Sequence, residues 1–188
     1  MMSSTLNNYV LRAPTLVTDF SATTGMTLTQ GTGSVALDTT PAYVRTGTAS
    51  LKIVQQASAS SALVDLDCRN AAFGGTGSEG FSAVADNMWH LRSYVDTPNN
   101  QNTVSLFVSN TAAGFTSYFA ANAAPSQIST LRTDHWWDRV ENRKDWAVGG
   151  GSPSWSTPIR TIRLRPSANA NGTLTTWLDA LYRGGYAR

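Results

Sequence analysis

Aromatic side chains that could stack on sugar rings are concentrated in one part of the sequence. Six tryptophans occur in 188 residues, and four of them fall close together: Trp136, Trp137, Trp146 and Trp155. An aromatic ring packs against the apolar face of a sugar, while nearby polar groups bind the hydroxyls. Because Trp136 and Trp137 are adjacent, a strand directs them to opposite faces, and only one of the two can lie in a core. We predict that these four tryptophans include ligand-binding residues, with packing in the core or at a sheet edge as the alternative for each.

Two arginines lie close together further along the chain. Ile162 and Leu164 alternate with Arg163 and Arg165, so a strand here places both arginines on one face. Guanidinium groups in this arrangement could bind an acidic glycan or the carboxylates of another subunit. The alternative is a solvated strand face.

The titratable residues do not form a recognisable catalytic pattern. His90 and His135 are the only histidines, and no spacing motif relates them. The sequence contains no G-x-S-x-G, HExxH, P-loop or dinucleotide-binding signature. Glycoside hydrolysis requires two carboxylates across a cleft, and nothing in the pattern pairs the candidates. Those candidates are Asp86, Asp96, Asp134, Asp138, Glu141 and Asp145. We therefore predict a protein without catalytic residues.

Composition excludes several classes of partner. Charged residues make up only 14% of the chain, the net charge is +2, and no run of lysine or arginine exceeds two residues. Nucleic acids and anionic membranes require a clustered basic surface, so neither is an expected partner. No stretch reaches the ~20 apolar residues of a membrane helix, so no membrane insertion is expected.

The single cysteine and the N-terminus bear on where the protein acts. Cys68 has no partner for an intramolecular disulfide, and its alternating context predicts a small buried hydrophobic residue. The first residues contain no basic segment followed by an apolar stretch, so no signal peptide is predicted. An extracellular or virion location would then require lysis, assembly on a particle, or a longer precursor.

Period-two alternation recurs along the chain and predicts an all-β protein. We expect about ten short strands, arranged as a jelly-roll β-sandwich of two antiparallel sheets. Residues 16–188 form the predicted domain, and residues 1–15 an N-terminal extension or edge strand. Trp89 and Trp177 lie in alternating segments and are predicted to be core residues, whereas Gly149–Gly151 is predicted to be a loop.

Short motifs far apart in the sequence resemble those of carbohydrate-binding modules with a jelly-roll fold. They are Asp19-Phe20, Gly25–Leu28, Arg45–Ile53 with its "TG-x-x-SLKI" pattern, and Trp177–Tyr182 with its hydrophobic-Asp-x-hydrophobic ending. Similar jelly rolls are found in phage tail and tail-fibre proteins. The resemblance covers roughly residues 16–185 and implies a carbohydrate-binding function.

The resemblance also implies a structural calcium site. The first and last strands of a jelly roll are neighbours, so Asp19 and Asp179 could approach each other, and a cation would relieve their repulsion. The implied ligands are the two carboxylates and backbone carbonyls of the preceding loop: Asp19, Asp179, Thr46, Gly47 and Ser50. The alternative is that Asp19 caps a turn and Asp179 pairs with Arg45 or Arg183.

Three functions follow from these observations. The first is recognition of a polysaccharide or cell-surface glycan, in a phage particle or outside the cell. The second is a structural or assembly role in a virion or tail, in contact with other virion proteins or with copies of itself. The third, which the sequence favours least, is a polysaccharide-degrading enzyme.

Overall fold

Two antiparallel sheets of six strands each pack face to face in the computed structural model, which describes residues 10–112, 115–123 and 136–187. The predicted all-β sandwich of two antiparallel sheets is confirmed. The described residues form twelve strands, where the sequence predicted about ten. The strands are β1 (Val10–Thr18), β2 (Met26–Thr29), β3 (Ser34–Asp38), β4 (Ser50–Gln55), β5 (Leu63–Asp67), β6 (Met88–Val95), β7 (Gln101–Ser109), β8 (Tyr118–Ala123), β9 (Trp136–Asn142), β10 (Ala147–Gly150), β11 (Thr161–Ala168) and β12 (Leu174–Ala187).

The first sheet has the strand order β3-β4-β12-β6-β9, and β1 also pairs with β12. The second sheet has the order β10-β8-β7-β11-β5-β2. Helical structure in the described residues is limited to short 3-10 turns: Pro41–Tyr43, Ala71–Phe73, Pro98–Asn100 and Arg143–Asp145. None of the helices in this part of the chain has the length and apolar character needed to cross a membrane.

Strand β6 illustrates how alternation in the sequence builds the sandwich. Its buried residues alternate with partly exposed ones along the whole strand. Trp89 and Leu91 point between the sheets, whereas His90, Arg92 and Tyr94 lie on the outer face, as the sequence predicts. Because successive side chains of a strand point to opposite sides, each sheet has one face in the core and one outer face that is available for function.

The core between the sheets is apolar and continuous. Trp89 and Cys68 are fully buried in it, which confirms both predictions. Burial raises the pKa of the Cys68 thiol, because a thiolate would lie in an apolar environment. Leu51, Leu66 and Leu164 are also fully buried and belong to the same cluster.

Two local predictions need correction. Trp177 is 3% exposed, but it lies on the outer face of the first sheet rather than between the sheets. Its register partner is Tyr94, an outer-face residue, and Trp177 is buried there because the ring of Tyr43 covers it. Most of the predicted loop Gly149–Gly151 is instead part of strand β10, which pairs with β8.

Strand β1 includes part of the predicted N-terminal extension. It pairs with β12 from Val10, opposite Ala187, to Thr18, opposite Leu181. Residues 10–12 and Thr15 therefore pair with the last strand, with an irregularity between Arg12 and Thr15. The domain boundary near residue 15 remains a prediction.

Candidate functional site

The outer face of the second sheet carries a compact group of aromatic and arginine side chains. We call it the arginine face and define it by Phe107, Phe115, Tyr118, Arg163 and Arg165. Strands β7 and β11 are neighbours, and Phe107 pairs directly with Arg163. The rings of Phe107, Phe115 and Tyr118 meet edge to face, with centroids 5.7 to 6.3 Å apart.

Arg163 is held in place by an acidic neighbour and a ring. Its Nε and Nη2 atoms donate to the two carboxylate oxygens of Asp65, each at 2.7 Å. Asp65 is the register partner of Arg163 on β5, so the pair spans adjacent strands. The guanidinium carbon lies 4.1 Å from the ring centroid of Phe115. The bidentate bond fixes the plane of the guanidinium group and compensates its charge.

In contrast to Arg163, Arg165 forms no ion pair with a carboxylate of the described residues. Its guanidinium carbon lies 4.9 Å from the ring centroid of Phe107, and its Nε is buried without a hydrogen-bond partner. Burial and the nearby charge of Arg163 lower the pKa of Arg165. The charge of Arg165 therefore lies against an aromatic ring rather than against a carboxylate.

Backbone features position the aromatic rings of this face. Tyr118 lies against Gly149, where an added Cβ would be 2.0 Å from Tyr118 Cε2, and it also covers Gly150. These glycines therefore allow the ring to lie across edge strand β10. Phe115 adopts a φ of 44°, which non-glycine residues rarely do. Such strained residues cluster at functional sites, where the surrounding structure compensates for the strain.

The four predicted tryptophans are not brought together into one site. Trp136 lies on the outer face of the first sheet, opposite the arginine face, because it pairs with Tyr94. Trp137 pairs with the buried Ser93 and points between the sheets. The adjacent pair therefore faces opposite ways.

Trp146 and Trp155 lie at one end of the core. Trp146 is 8% exposed and packs near Trp89, with ring centroids 5.9 Å apart, so it follows the core-packing alternative that the sequence left open for this residue. Its side chain fills the core and presents no open ring face. Trp155 is partly exposed and stacks on Phe119 at 4.4 Å, with Arg143 near its ring.

The outer face of the first sheet contains one histidine close to an acid. His90 Nε2 lies 3.6 Å from Asp138 Oδ1, and Arg92 Nε donates to the same oxygen at 2.8 Å. Arg92 thus forms a hydrogen bond to the same Asp138 carboxylate that His90 would need as a partner in catalysis. His135 and Asp134 lie outside the described residues.

The remaining carboxylates considered for hydrolysis are dispersed. Asp86 hydrogen-bonds to Arg183, and Glu141 hydrogen-bonds to Arg139. Two further candidates are exposed: Asp96 and Asp145. None of these carboxylates lies on the arginine face.

Asp179 occupies an unusual position in β12. The register of this strand against β6 shifts between Leu178 and Ala180, and such a bulge redirects the side chain within it. Asp179 is fully buried, and its Oδ1 accepts from the backbone N–H groups of Arg45 and Thr46 at 2.7 and 3.0 Å. Its Oδ2 has no hydrogen-bond partner. One buried carboxylate oxygen thus accepts no hydrogen bond, although the positive charge of Arg92 interacts electrostatically with Asp179.

Other residues of the implied calcium site lie in or next to the loop that donates to this carboxylate. Ser50 directly precedes Leu51, which pairs with Leu178, and the buried Oγ of Ser50 also lacks a partner. A Cβ on Gly47 would lie 2.5 Å from Asp19 Oδ2, so the glycine lets this loop approach Asp19. Unpaired buried oxygens and two carboxylates are a donor set that suits Ca²⁺. In the described residues, no group of three or more histidine, cysteine or acidic side chains could hold a metal.

The alternative for these residues is observed in part. Asp19 Oδ1 accepts from Ser21 N at 3.0 Å, so Asp19 does cap a turn. The pairing of Asp179 with an arginine side chain is not observed. Arg183 bonds to Asp86 instead, and Arg45 contacts Asp179 only through its backbone.

Sequence reasoning missed the aromatic residues of the arginine face. Phe107 alternates with the core residues Leu106 and Val108, and this signal places it on the outer face. The local sequence pattern does not place Phe115 and Tyr118 beside Phe107, because a turn and a neighbouring strand bring them there.

The fold is that of carbohydrate-binding modules. A family 11 carbohydrate-binding module of the cellulosomal cellulase Lic26A-Cel5E of Clostridium thermocellum matches 92% of this chain and 95% of its own, with a TM-score of 0.61 and 9% identity. A family 11 module from the same organism, in complex with a β-1,3-1,4-mixed-linked tetrasaccharide, gives the same coverage, a TM-score of 0.58 and 9% identity. The carbohydrate esterase vb_24B_21 of the Shiga toxin-encoding bacteriophage phi24B matches 92% of this chain and all of its own, with a TM-score of 0.50 and 9% identity.

Comparisons of sequence alone add nothing to this result. No protein-family model matches the chain, and no curated protein sequence matches it. The resemblance to carbohydrate-binding modules predicted from short motifs is confirmed at the level of the fold. At these identities the likeness extends to the fold alone, so the function must be argued from the residues of the site.

Proposed function

We propose that this protein binds a polysaccharide or surface glycan on the arginine face and does not catalyse a reaction. The observation that carries the proposal is Arg165, a cation stacked on Phe107 with a buried, unpartnered Nε and no carboxylate pair in the described residues. Next to it, Phe107 and Tyr118 supply apolar rings on which a sugar can stack. The tetrasaccharide complex of the structurally similar module supports saccharides as the class of ligand.

The face favours a glycan that carries acidic groups. Asp65 compensates Arg163, whereas Arg165 keeps an uncompensated charge in a partly buried position. A ligand carboxylate would restore the charge balance at Arg165, and a neutral sugar would not. The aromatic rings would then align the sugar, and the arginine would select for the acid.

A glycan array with the purified protein tests this function. The variants are Tyr118→Ala and Arg165→Gln, and Lys144→Gln serves as a matched control because Lys144 is exposed and lies away from the face. We expect saturable binding that both face variants weaken by about tenfold or more and that the control leaves unchanged. Binding that Tyr118→Ala and Arg165→Gln leave intact in folded protein would place the site elsewhere. Release of reducing ends or acyl groups from a bound glycan would contradict a non-catalytic role.

We also propose that Asp19 and Asp179 share a structural Ca²⁺ with oxygens from the loop around Thr46, Gly47 and Ser50. The unpartnered Asp179 Oδ2 and Ser50 Oγ support it, together with the close approach of Asp19 to Gly47. A bound calcium ion would supply the positive charge that two neighbouring carboxylates need. The chain's own contribution is to hold Asp179 Oδ1 with two backbone N–H groups, which orients the carboxylate.

An assembly role is a second candidate function, and exposed apolar residues on edge strands support it. Leu37 of β3, Val140 of β9 and Val148 of β10 are 41%, 54% and 61% exposed. Edge strands can pair with another chain unless they are protected. Size-exclusion chromatography with light scattering tests this role: a concentration-dependent oligomer that Val140→Ser disrupts supports it, and a monomer at all concentrations contradicts it.

The setting that we propose for either function is a phage particle. The phage esterase among the structural neighbours and the charge-poor composition support it. Peptides of this protein in purified virions, at a fixed ratio to the tail proteins, are the expected result of mass spectrometry. Their absence from particles would argue for a free extracellular protein.

A further inference from the structure

The outer face of the first sheet carries a second group of aromatic and cationic residues. We call it the tryptophan face and define it by Tyr43, Lys52, Tyr94, Trp136 and Trp177. Four of these residues are register partners in one row across β4, β12, β6 and β9, in the order Lys52, Trp177, Tyr94, Trp136. With neighbouring strands about 4.8 Å apart, the row spans about 14 Å. It is perpendicular to the strands and lies on the opposite side of the sandwich from the arginine face.

Ring contacts make this row a fixed surface. Tyr43 stacks on Trp177 with centroids 4.0 Å apart and an interplanar angle of 13°. Since Trp177 covers one face of the Tyr43 ring, the other face is turned away from the sheet. Tyr94 meets Tyr43 and Trp136 edge to face at 5.3 and 5.7 Å. Tyr43, Tyr94 and Trp136 all remain partly exposed, whereas Trp177 forms the buried base.

The polar residues around the rings leave positive charge available. Lys52 Nζ lies 5.3 Å from the Trp177 ring, and the guanidinium carbon of the exposed Arg45 lies 5.9 Å from the Trp136 ring. Neither cation forms an ion pair with a carboxylate in the described part of the chain. Of the nearby acids, Asp138 accepts from Arg92 at 2.8 Å, whereas Asp38 accepts from Trp177 Nε1 at 2.8 Å and also interacts electrostatically with Lys52.

We propose that the tryptophan face is a second saccharide site, specific for an acidic glycan. The partly open rings provide a stacking surface for a sugar, and Arg45 and Lys52 at the two ends of the row provide partners for its carboxylates. Because the two faces lie on opposite sides of the sandwich, one domain would bind two glycan segments at once. Simultaneous binding of both would raise the avidity for a polymer.

The geometry also predicts that Asp179 controls this second site. The backbone N–H groups of Arg45 and Thr46 donate to Asp179 Oδ1, and Arg92 donates to Thr46 Oγ1 at 3.4 Å. The loop that places Tyr43 and Arg45 over the row is thereby anchored to Asp179. The arginine face belongs to the other sheet, so binding of its ligand should not depend on Asp179.

The experiment uses a panel of acidic polysaccharides, namely polygalacturonate, alginate, hyaluronan and xanthan, with their carboxyl-reduced forms as neutral controls. Binding is measured by affinity electrophoresis for the wild type and two double variants, with the exposed Lys144→Gln as a control that should bind as the wild type does. Arg45→Gln/Trp136→Ala changes the tryptophan face, and Tyr118→Ala/Arg165→Gln changes the arginine face. Circular dichroism and melting curves confirm that each variant is folded.

We expect the variant of the arginine face to keep binding at least one acidic polysaccharide but not its carboxyl-reduced form. Adding Arg45→Gln/Trp136→Ala to that variant should weaken this binding by about tenfold or more. The second site is ruled out if the arginine-face variant binds no acidic polysaccharide of the panel, or if the added changes leave its binding unaltered. Failure of the proposed function would give a different result: Tyr118→Ala/Arg165→Gln would bind the glycan as strongly as the wild type does.

Discussion

Replacing Asp179 by asparagine tests whether a cation compensates the buried carboxylate. Asparagine keeps the size of the side chain and the oxygen that accepts from Arg45 and Thr46, but it removes the charge. The two outcomes differ in sign. If calcium is bound, the substitution removes a ligand and destabilises the fold. If no cation is bound, it removes a buried charge that Arg92 compensates only in part, and it stabilises the fold.

The magnitude follows from linkage. Calcium at 100 times its dissociation constant would stabilise the folded state by about 2.7 kcal/mol. For a chain of this size, each kcal/mol shifts Tm by about 2–4 °C, so EDTA should lower the wild-type Tm by about 5–11 °C. Asp179→Asn should melt above the wild type in EDTA, because it lacks the buried charge, and its own Tm should not respond to EDTA.

Differential scanning fluorimetry with and without calcium measures the shift in Tm. Elemental analysis of the dialysed protein measures the amount of bound metal. Asp67→Asn is the matched control, since Asp67 is an exposed acid paired with Arg69 at the surface. A wild-type Tm that EDTA leaves unchanged, with no bound metal and a higher Tm for Asp179→Asn, would refute the calcium site.

Three further predictions address single features of the fold. Gly149→Ala should weaken glycan binding, because its Cβ would lie 2.0 Å from Tyr118 Cε2; an unchanged affinity on the array would show that the ring is not part of the site. Cys68 should not react with a thiol reagent at pH 8 unless the protein is unfolded, because burial raises its pKa, and rapid labelling of native protein would contradict this. Burial opposes ionisation of Asp38, but hydrogen bonds that include one from Trp177 lower its pKa below the ordinary 3.8. Ionised Asp38 therefore stabilises the folded state above pH 3.8, and this stabilisation is lost as the pH falls through the lower pKa of the folded state. The difference in Tm between Asp38→Asn and the wild type should accordingly become smaller in acid. A difference that stays constant down to pH 2 would contradict this prediction.

Alternation in the sequence was sufficient to predict the fold class. It placed Trp89 and Leu91 in the core, and it placed Arg163 and Arg165 on one outer face. These predictions succeed because side-chain direction in a strand has a strict period of two, and burial of one face is what stabilises a sandwich.

Alternation failed where a loop covers an outer face. Trp177 was predicted to be a core residue, and it is buried, but the ring of Tyr43 buries it on the outside of the sheet. For Trp146 the sequence left ligand binding and core packing open, and in the structure this residue belongs to the core cluster. A local pattern indicates whether a side chain is apolar, but not which segment covers it.

The sequence by itself determined the all-β class, the alternating faces and the chemical types available for binding. Only the tertiary structure decided that Trp136 and Arg163 lie on opposite sides of the sandwich, and that Tyr118 joins Phe107 and Arg165. It also decided that Asp179 lies in a bulge beside the loop of Thr46. The physical reason is that strand order and register bring together residues distant in sequence. These are set by packing over the whole core rather than by any local segment.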